Sequence, residues 1–355
     1  MPTTFTVYSV IFADGSCYDF IGHLGVTSQV FAQMVAQRLS SCGLSEEALE
    51  QVFALTLGHR DTSSPLMQLF RASGVSHVMA LSGLHLGIFC AAFSPFIALV
   101  RRKMGPMTVR IAVIFFVLLA VWFYVCIARW PMSMVRAATM LSISLLSALT
   151  PYRLRLLEVW LLSVMLILIF TPRSATDIGF QLSAMAMLAI ALCCDREGEK
   201  ENEPAPLPQD PTSLQRNRPL RNEENHIWKS AKNVVVEWVK ISFWCQMFTA
   251  PLVAHYFGTF VPHAIVTSVV VTAYTSAVVY LCFILIASLF ILPAFISEFL
   301  AQSINGLLWI QTEALRAFIA FAGTGLEGVK WSWLAVALWY ACITLFIMQR
   351  GRLRL

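Results

Sequence analysis

From Thr27 to Leu57, apolar residues recur at three- and four-residue spacing (Val30, Phe31, Met34, Val35 and Leu39, then Leu49, Val52 and Phe53), and polar residues fill the other face. That period predicts amphipathic helices across 26–74, lying on a membrane or protein surface rather than crossing it. Ser45-Glu46-Glu47 offers an N-cap and an acidic first turn. From His77 onward the pattern changes to continuous apolar runs over 77–100, 109–128, 132–149, 155–170, 177–194, 233–257, 262–292 and 331–348. A helix needs about 20 apolar residues to cross a bilayer, so these runs are spanning candidates. The seventh is too long for one untilted helix at about 1.5 Å rise per residue, and a break is expected near Ala273–Ser276. Segment 294–323 sets Glu298, Asn305, Glu313 and Arg316 among apolar residues, which suits an interface or a cavity wall.

The expected fold is an all-α polytopic membrane protein with about eight transmembrane helices plus amphipathic interfacial helices. Residues 1–25 form a short β-like or poorly ordered segment, with alternation over Phe5–Phe12 and a turn at Asp14-Gly15. The first membrane half covers 75–194, a charged, Pro-rich linker 195–232, and the second half 233–355. The linker mixes both charge signs, has few apolar residues, and is expected to be disordered.

Composition agrees. Hydrophobic residues make up 58% and charged residues 13%, with mean hydropathy +0.70, far from an average soluble domain. The net charge of +5 is read first through its placement. Basic residues crowd alternate loops: Arg101, Arg102, Lys103 and Arg110; Arg153 and Arg155; Arg196, Lys200, Arg216, Arg218, Arg221, Lys229 and Lys232; and the tail Arg350, Arg352 and Arg354. The intervening loops hold only Arg129 and Arg173 before residue 195. By the positive-inside rule the rich loops and the C-terminus are cytoplasmic, and the N-terminal segment lies outside a bacterial inner membrane. Trp130, Trp331 and Trp333 fall where an outer aromatic belt belongs. No basic region followed by an apolar run opens the chain, so the first span is expected to direct insertion. The nine cysteines form no C-x-x-C pair and read as packing residues.

Four apolar segments carry polar strings. The first joins Leu57-Gly-His-Arg60 to Phe70–Gly87, which includes His77, Ser82, Gly83, His85 and Gly87. The second is Pro131-Met-Ser-Met-Val-Arg-Ala-Ala-Thr-Met140, and the third Asp177-Ile-Gly-Phe-Gln-Leu-Ser183. The fourth runs from Gln246 through Pro251 to Gly258. Polar groups within lipid are expensive and so are functional or packing candidates. Ser82 and His85 stand three apart, with His77 about 80° round a common helix, so all three can line a polar path or satisfy neighbouring carbonyls. Their spacing is wrong for a metal, and none is expected. Gly83 and Gly87 make a Gly-x-x-x-Gly helix-packing pattern, joined by Gly179 and Pro251 as packing positions.

Arg136 costs about 2.5–3.5 kcal/mol at mid-membrane, unless it snorkels to the outer interface. Asp177 and Gln181, four apart, can share a partner, and Arg136 is the candidate for an ion pair with Asp177. Gln246 and Pro251 mark a broken helix with carbonyls freed towards a cavity. The pore-lining set is therefore His77, Ser82, His85, Arg136, Asp177, Gln181 and Gln246.

In order and spacing the four strings resemble the competence domain of the ComEC/Rec2 family, the membrane channel that admits transforming DNA, over residues 45–260. The resemblance implies translocation of single-stranded DNA through the inner membrane in natural transformation. It implies no catalytic residue and no cofactor. Its partners would be single-stranded DNA, membrane lipid, separate competence proteins (a DNA receptor, a cytoplasmic motor, a single-strand-binding protein) and a second copy in a homodimer. Full-length members also carry an outer oligonucleotide-fold domain and a metallo-β-lactamase-like domain. Here residues 1–25 fit at most a scrap of the first, and no His-x-His-x-Asp-His string occurs. The family's usual Gly ahead of Ser-x-x-Arg-Ala is Arg129, and an expected Asn/Pro pair reads Ser268 and Ala273. No Gly-x-x-x-x-Gly-Lys-Ser/Thr string binds nucleotide, so energy must come from elsewhere. The competing readings are a secondary transporter of a small solute and an intramembrane hydrolase using Ser82 with His85 or His77.

Overall fold

The computed structural model describes residues 30–59, 61, 63–92, 106–150, 154–201, 223–261, 263–323, 326–327 and 330–352. The N-terminal segment 1–25 lies outside them. The described chain is helical apart from a two-residue antiparallel pair, β1 (Thr259–Phe260) with β2 (Leu326–Glu327). Three short helices come first: α1 over 30–41, α2 (Glu46–Leu57) and α3 (Pro65–Ala72). Ser45 caps α2 by accepting from the Ala48 N–H, and Ser64 caps α3 through Met67. Their apolar faces (Val35, Leu39, Val52, Leu55, Met67 and Phe70) pack into one buried cluster with Val278, Leu285, Ile304 and Leu308.

The remaining helices follow as α4 (Gly83–Ala92), α5 (Pro106–Ile127), α6 (Met132–Ser147), α7 (Leu156–Phe170), α8 (Ile178–Glu201), α9 (Glu223–Phe257), α10 (Ala264–Ile291), α11 (Ala294–Ala322) and α12 (Trp333–Arg352). Two of them contain stretches long and apolar enough to cross a membrane, Thr108–Ile127 and Val266–Ile291. Shorter apolar helices occupy Met132–Ser147, Leu156–Phe170, Ile178–Leu192 and Trp333–Phe346. Phe115, Leu119 and Phe123 stand exposed one turn apart along α5, and Leu162, Leu166 and Ile169 do so along α7. Apolar surface this continuous calls for lipid or a partner rather than water.

Several expectations change. α10 is unbroken through Ala273–Ser276, because nothing there removes a backbone donor and Ser276 bonds its own Thr272 carbonyl at 2.6 Å. The charged 195–232 stretch is partly helical, since α8 continues to Glu201 and α9 begins at Glu223. Residues 202–222 lie outside the described set.

α9 also runs through Pro251 without ending. Proline has no N–H for the carbonyl four residues back, and its ring crowds that carbonyl. α12 meets the need: Trp339 Nε1 donates to Met247 O at 3.0 Å, and Tyr340 OH donates to Phe248 O at 2.6 Å. The carbonyls expected to face a cavity are bonded to a neighbouring helix instead.

α5 ends in a Schellman turn, in which Trp130 N–H reaches Val125 O at 3.0 Å and Arg129 N–H reaches Cys126 O at 3.1 Å. The turn puts Arg129 at φ 63, the left-handed position that glycine usually fills. Arg129→Gly should therefore stabilise the protein by about 1 kcal/mol, read as a raised unfolding midpoint. Burial, and then the charge of Arg129, hold the His59 imidazole below its ordinary value. The same variant should raise the His59 pKa in an NMR titration, because one of those two causes is gone.

Candidate functional site: a ring of helices around a buried arginine

Five helices pack in a closed circuit: α4 on α6, α6 on α8, α8 on α9, α9 on α10, and α10 back on α4. The others brace it from outside. α5 packs on α4 and α6, α7 on α6 and α8, α11 on α10, and α12 on α9.

The Ser-Gly-Leu-His string explains where α4 begins. Ser82 N–H donates to His85 Nδ1 at 3.3 Å, and Ser82 Oγ lies 3.1 Å from the same nitrogen. His85 thus does what Glu does in a capping box, reaching back from the third helical position to the N-cap backbone. Residues 77–82 are consequently not helical, and His77 stands exposed on a turn, off the helix that carries His85. The expected 80° relation between the two histidines does not apply. With Nδ1 accepting, the neutral ring carries its proton on Nε2. That atom is buried without a partner, in a side chain only 2% exposed. The Ser82–His85 contact has the geometry of a helix cap.

His85 points into packing. Leu86 and Phe89 lie on the same broad side of α4, where the Phe89 ring is 4.5 Å from Tyr124 and 5.6 Å from Phe283. The opposite side of α4 (Gly83, Leu84, Gly87 and Ala91) is exposed. A Cβ on Gly83 would sit 3.2 Å from Ala137 Cβ, so Gly83 is where α6 comes close. A Cβ on Gly87 would meet nothing within 4 Å. One glycine of the pair packs helices and the other opens a surface.

α6 meets α4 through Ala137 and through Ser133, whose hydroxyl donates to Leu81 O at 2.6 Å. It meets α5 through Met134 and Ala138, and Met132 Sδ receives the Ser174 hydroxyl at 3.7 Å. At about 100° per residue, Arg136 falls between the stripe facing α4 and the side marked by Met132. That side lies between the contacts α6 makes with α4 and with the segment leading into α8. Arg136 is only 5% exposed, and its Nε and Nη1 have no acceptor.

The expected Arg136–Asp177 ion pair is not formed. Asp177 is exposed and caps α8, its Oδ1 accepting from the Phe180 N–H at 2.7 Å. Gly179 leaves room for that cap, since a Cβ there would lie 3.1 Å from the carboxylate oxygen. Gln181 is also committed: Nε2 donates to Ala175 O at 2.7 Å, and Oε1 accepts from Tyr256 OH at 2.9 Å. It ties the start of α8 to the end of α9. Gln246 is half-buried, one residue beyond Cys245, whose thiol meets Ala186 O of α8 at 3.7 Å.

Ser133, Tyr256, Trp339 and Tyr340 escaped the sequence reading. Ser133 and Tyr256 lay inside quoted strings, but Tyr256, Trp339 and Tyr340 act across the fold on partners that only packing reveals. No group of three or more His, Cys, Asp or Glu side chains is placed to hold a metal among the described residues.

Helices with outward apolar faces, packed in a circuit whose α6 carries a buried cation without an acceptor among the described residues, define a helical assembly suited to a membrane. Comparison with known proteins makes this specific. The family model described as Competence protein matches residues 55–353, and the chain belongs to that family. ComE operon protein 3 of Bacillus subtilis (strain 168) is 31% identical over 142 residues, covering 40% of this chain and 18% of that protein. The chain thus corresponds to a small part of that relative's length. No solved structure matches.

Proposed function

We propose that the chain is a multi-pass inner-membrane channel that passes single-stranded DNA during natural transformation. α5 and α10 supply the full-length spans, the four shorter apolar helices bring the total to six, and α4 and α9 complete about eight. Membership of the Competence protein family and the likeness to ComE operon protein 3 support the process. The carrying observation is Arg136, a permanent cation on α6 with two unmet N–H groups. Guanidinium does not shed its proton in proteins, so its unmet donors favour an anion. A phosphate is matched bidentately by that fork.

On this reading, Gly83, Leu84, Gly87 and Ala91 supply a low-profile wall opposite the cation, and the chain itself performs no hydrolysis. A conduction path must hold its cargo weakly enough to release it, which suits a single cation rather than a cluster. The test is deletion of the coding sequence, with labelled DNA followed separately at the cell surface and in the cytoplasm. Surface DNA should persist while cytoplasmic DNA and transformants are lost, and both should return on complementation. Normal transformation in the deleted strain would overturn the proposal.

A further inference from the structure

The end of the circuit at which α9 finishes and α12 begins holds a cluster of rings. His255 Nδ1 lies 2.7 Å from Trp331 O, and since a carbonyl only accepts, that nitrogen carries the proton. The bond fixes the imidazole against two neighbours, with ring centres 4.0 Å from Trp333 and 4.9 Å from Tyr256. Tyr256 meets Trp333 edge-on at 5.9 Å, while its hydroxyl donates to Gln181 of α8. Trp331 abuts Trp339 at 5.4 Å, and the Trp339 indole N–H is spent on Met247 O. His255, Tyr256 and Trp339 are thus locked by hydrogen bonds. Trp333, which rests on the first two, is 57% exposed.

Exposed cations lie on both sides of this cluster. Lys330 passes Gly258, where an added Cβ would sit 3.2 Å from Lys330 Cγ. In the other direction, Gln181 Nε2 reaches Ala175 O, two residues beyond Arg173. Ser174 meets Met132, which stands one turn before Arg136 on the same side of α6. A continuous set of contacts therefore runs from Trp333 to the helix face that bears Arg136. Asp177, exposed on the same rim, has one carboxylate oxygen engaged in capping α8. With the basic tail of α12 inside, this end is the outer one. Outer segments are ordinarily poor in Lys and Arg, so Lys330 and Arg173 call for an anionic neighbour. A tryptophan that only anchors in lipid headgroups needs no fixed partners. A preorganised ring with an open face beside cations suits a single strand, whose bases stack while its phosphates meet positive charge.

We propose that Trp333 is a stacking platform for one nucleobase of incoming single-stranded DNA, with Lys330 beside a neighbouring phosphate, at the outer mouth of the path to Arg136. The assignment rests on the channel reading. The test uses the full chain in phosphatidylcholine nanodiscs and fluorescein-labelled oligothymidylate, beside an abasic strand of equal length that keeps the phosphates and lacks the bases. Fluorescence anisotropy should show the oligothymidylate bound more tightly than the abasic strand. Trp333→Leu should weaken oligothymidylate binding by about tenfold and leave abasic binding unchanged, while Trp333→Tyr retains most of the affinity. A strand carrying 4-thiothymidine, irradiated on the unaltered chain, should crosslink to the tryptic peptide that begins at Trp331, and this decides even if the leucine variant fails to fold. Equal oligothymidylate affinity in Trp333→Leu and the unaltered chain, or crosslinks that avoid that peptide, would make the ring a lipid anchor only and overturn the platform. Deletion of the coding sequence gives a separate answer. Lost transformation together with unchanged binding in Trp333→Leu overturns the platform and leaves the channel standing. Normal transformation together with the tenfold loss overturns the channel and leaves a DNA-binding rim.

Discussion

Replacing Arg136 with methionine is expected to make the protein more stable and to stop DNA uptake. The two effects have opposite signs, and that is what separates a working cation from a structural one. Arg136 is buried with two N–H groups unmet, and no carboxylate among the described residues pairs with it. Exchanging an uncompensated buried charge for an apolar side chain of similar length should raise stability by about 1–3 kcal/mol, within the range seen when buried ionic groups are replaced. Thermal unfolding in detergent reads that gain. If phosphates pass this side chain, transformation in the same variant should fall to the level of the deleted strain at normal protein abundance. Arg136→Lys keeps a charge but loses the bidentate fork, and should recover only part of the activity. A methionine variant that transforms normally would remove Arg136 from the path.

Gly87→Trp is expected to leave the fold intact and block passage. A Cβ at this position meets nothing within 4 Å, so the larger side chain has space. Leaving glycine in a helix interior also gains up to about 1 kcal/mol of propensity. Normal abundance with transformants lost would put the open face of α4 on the route taken by DNA. Normal abundance with normal transformation would instead assign that face to lipid. Gly58→Trp is the contrasting control. Gly58 has φ 73, and a Cβ there would lie 2.7 Å from Leu81 Cδ1, so this variant should fail by misfolding, with protein level and transformation falling together.

Local signals in the sequence were readable and distant ones were not. Ser45 followed by two glutamates announces the start of α2, and the hydroxyl does cap it. Uniform apolar runs mark α5 and α7 to within a few residues, because a helix set in an apolar medium must satisfy its own backbone. Ser82 and His85 were legible as a pair but not as a cap, since imidazole is not the usual residue at that position. Taking 77–82 as helical followed from that omission. Asp177 was assigned across the fold to Arg136, but three residues on lay the Phe180 N–H, a donor needing no long-range alignment. Pro251 was read as a break because the residues that repair it are Trp339 and Tyr340, nearly ninety positions away.

That repair has a consequence for how the chain is made. α12 leaves the ribosome well after α9, yet it holds side-chain donors for two carbonyls of α9. Until it arrives, Met247 O, the carbonyl that Pro251 deprives of its helical N–H, lacks the donor that Trp339 supplies. A nascent chain halted before Trp339 would leave the turn at Pro251 unsealed, and docking of α12 closes it.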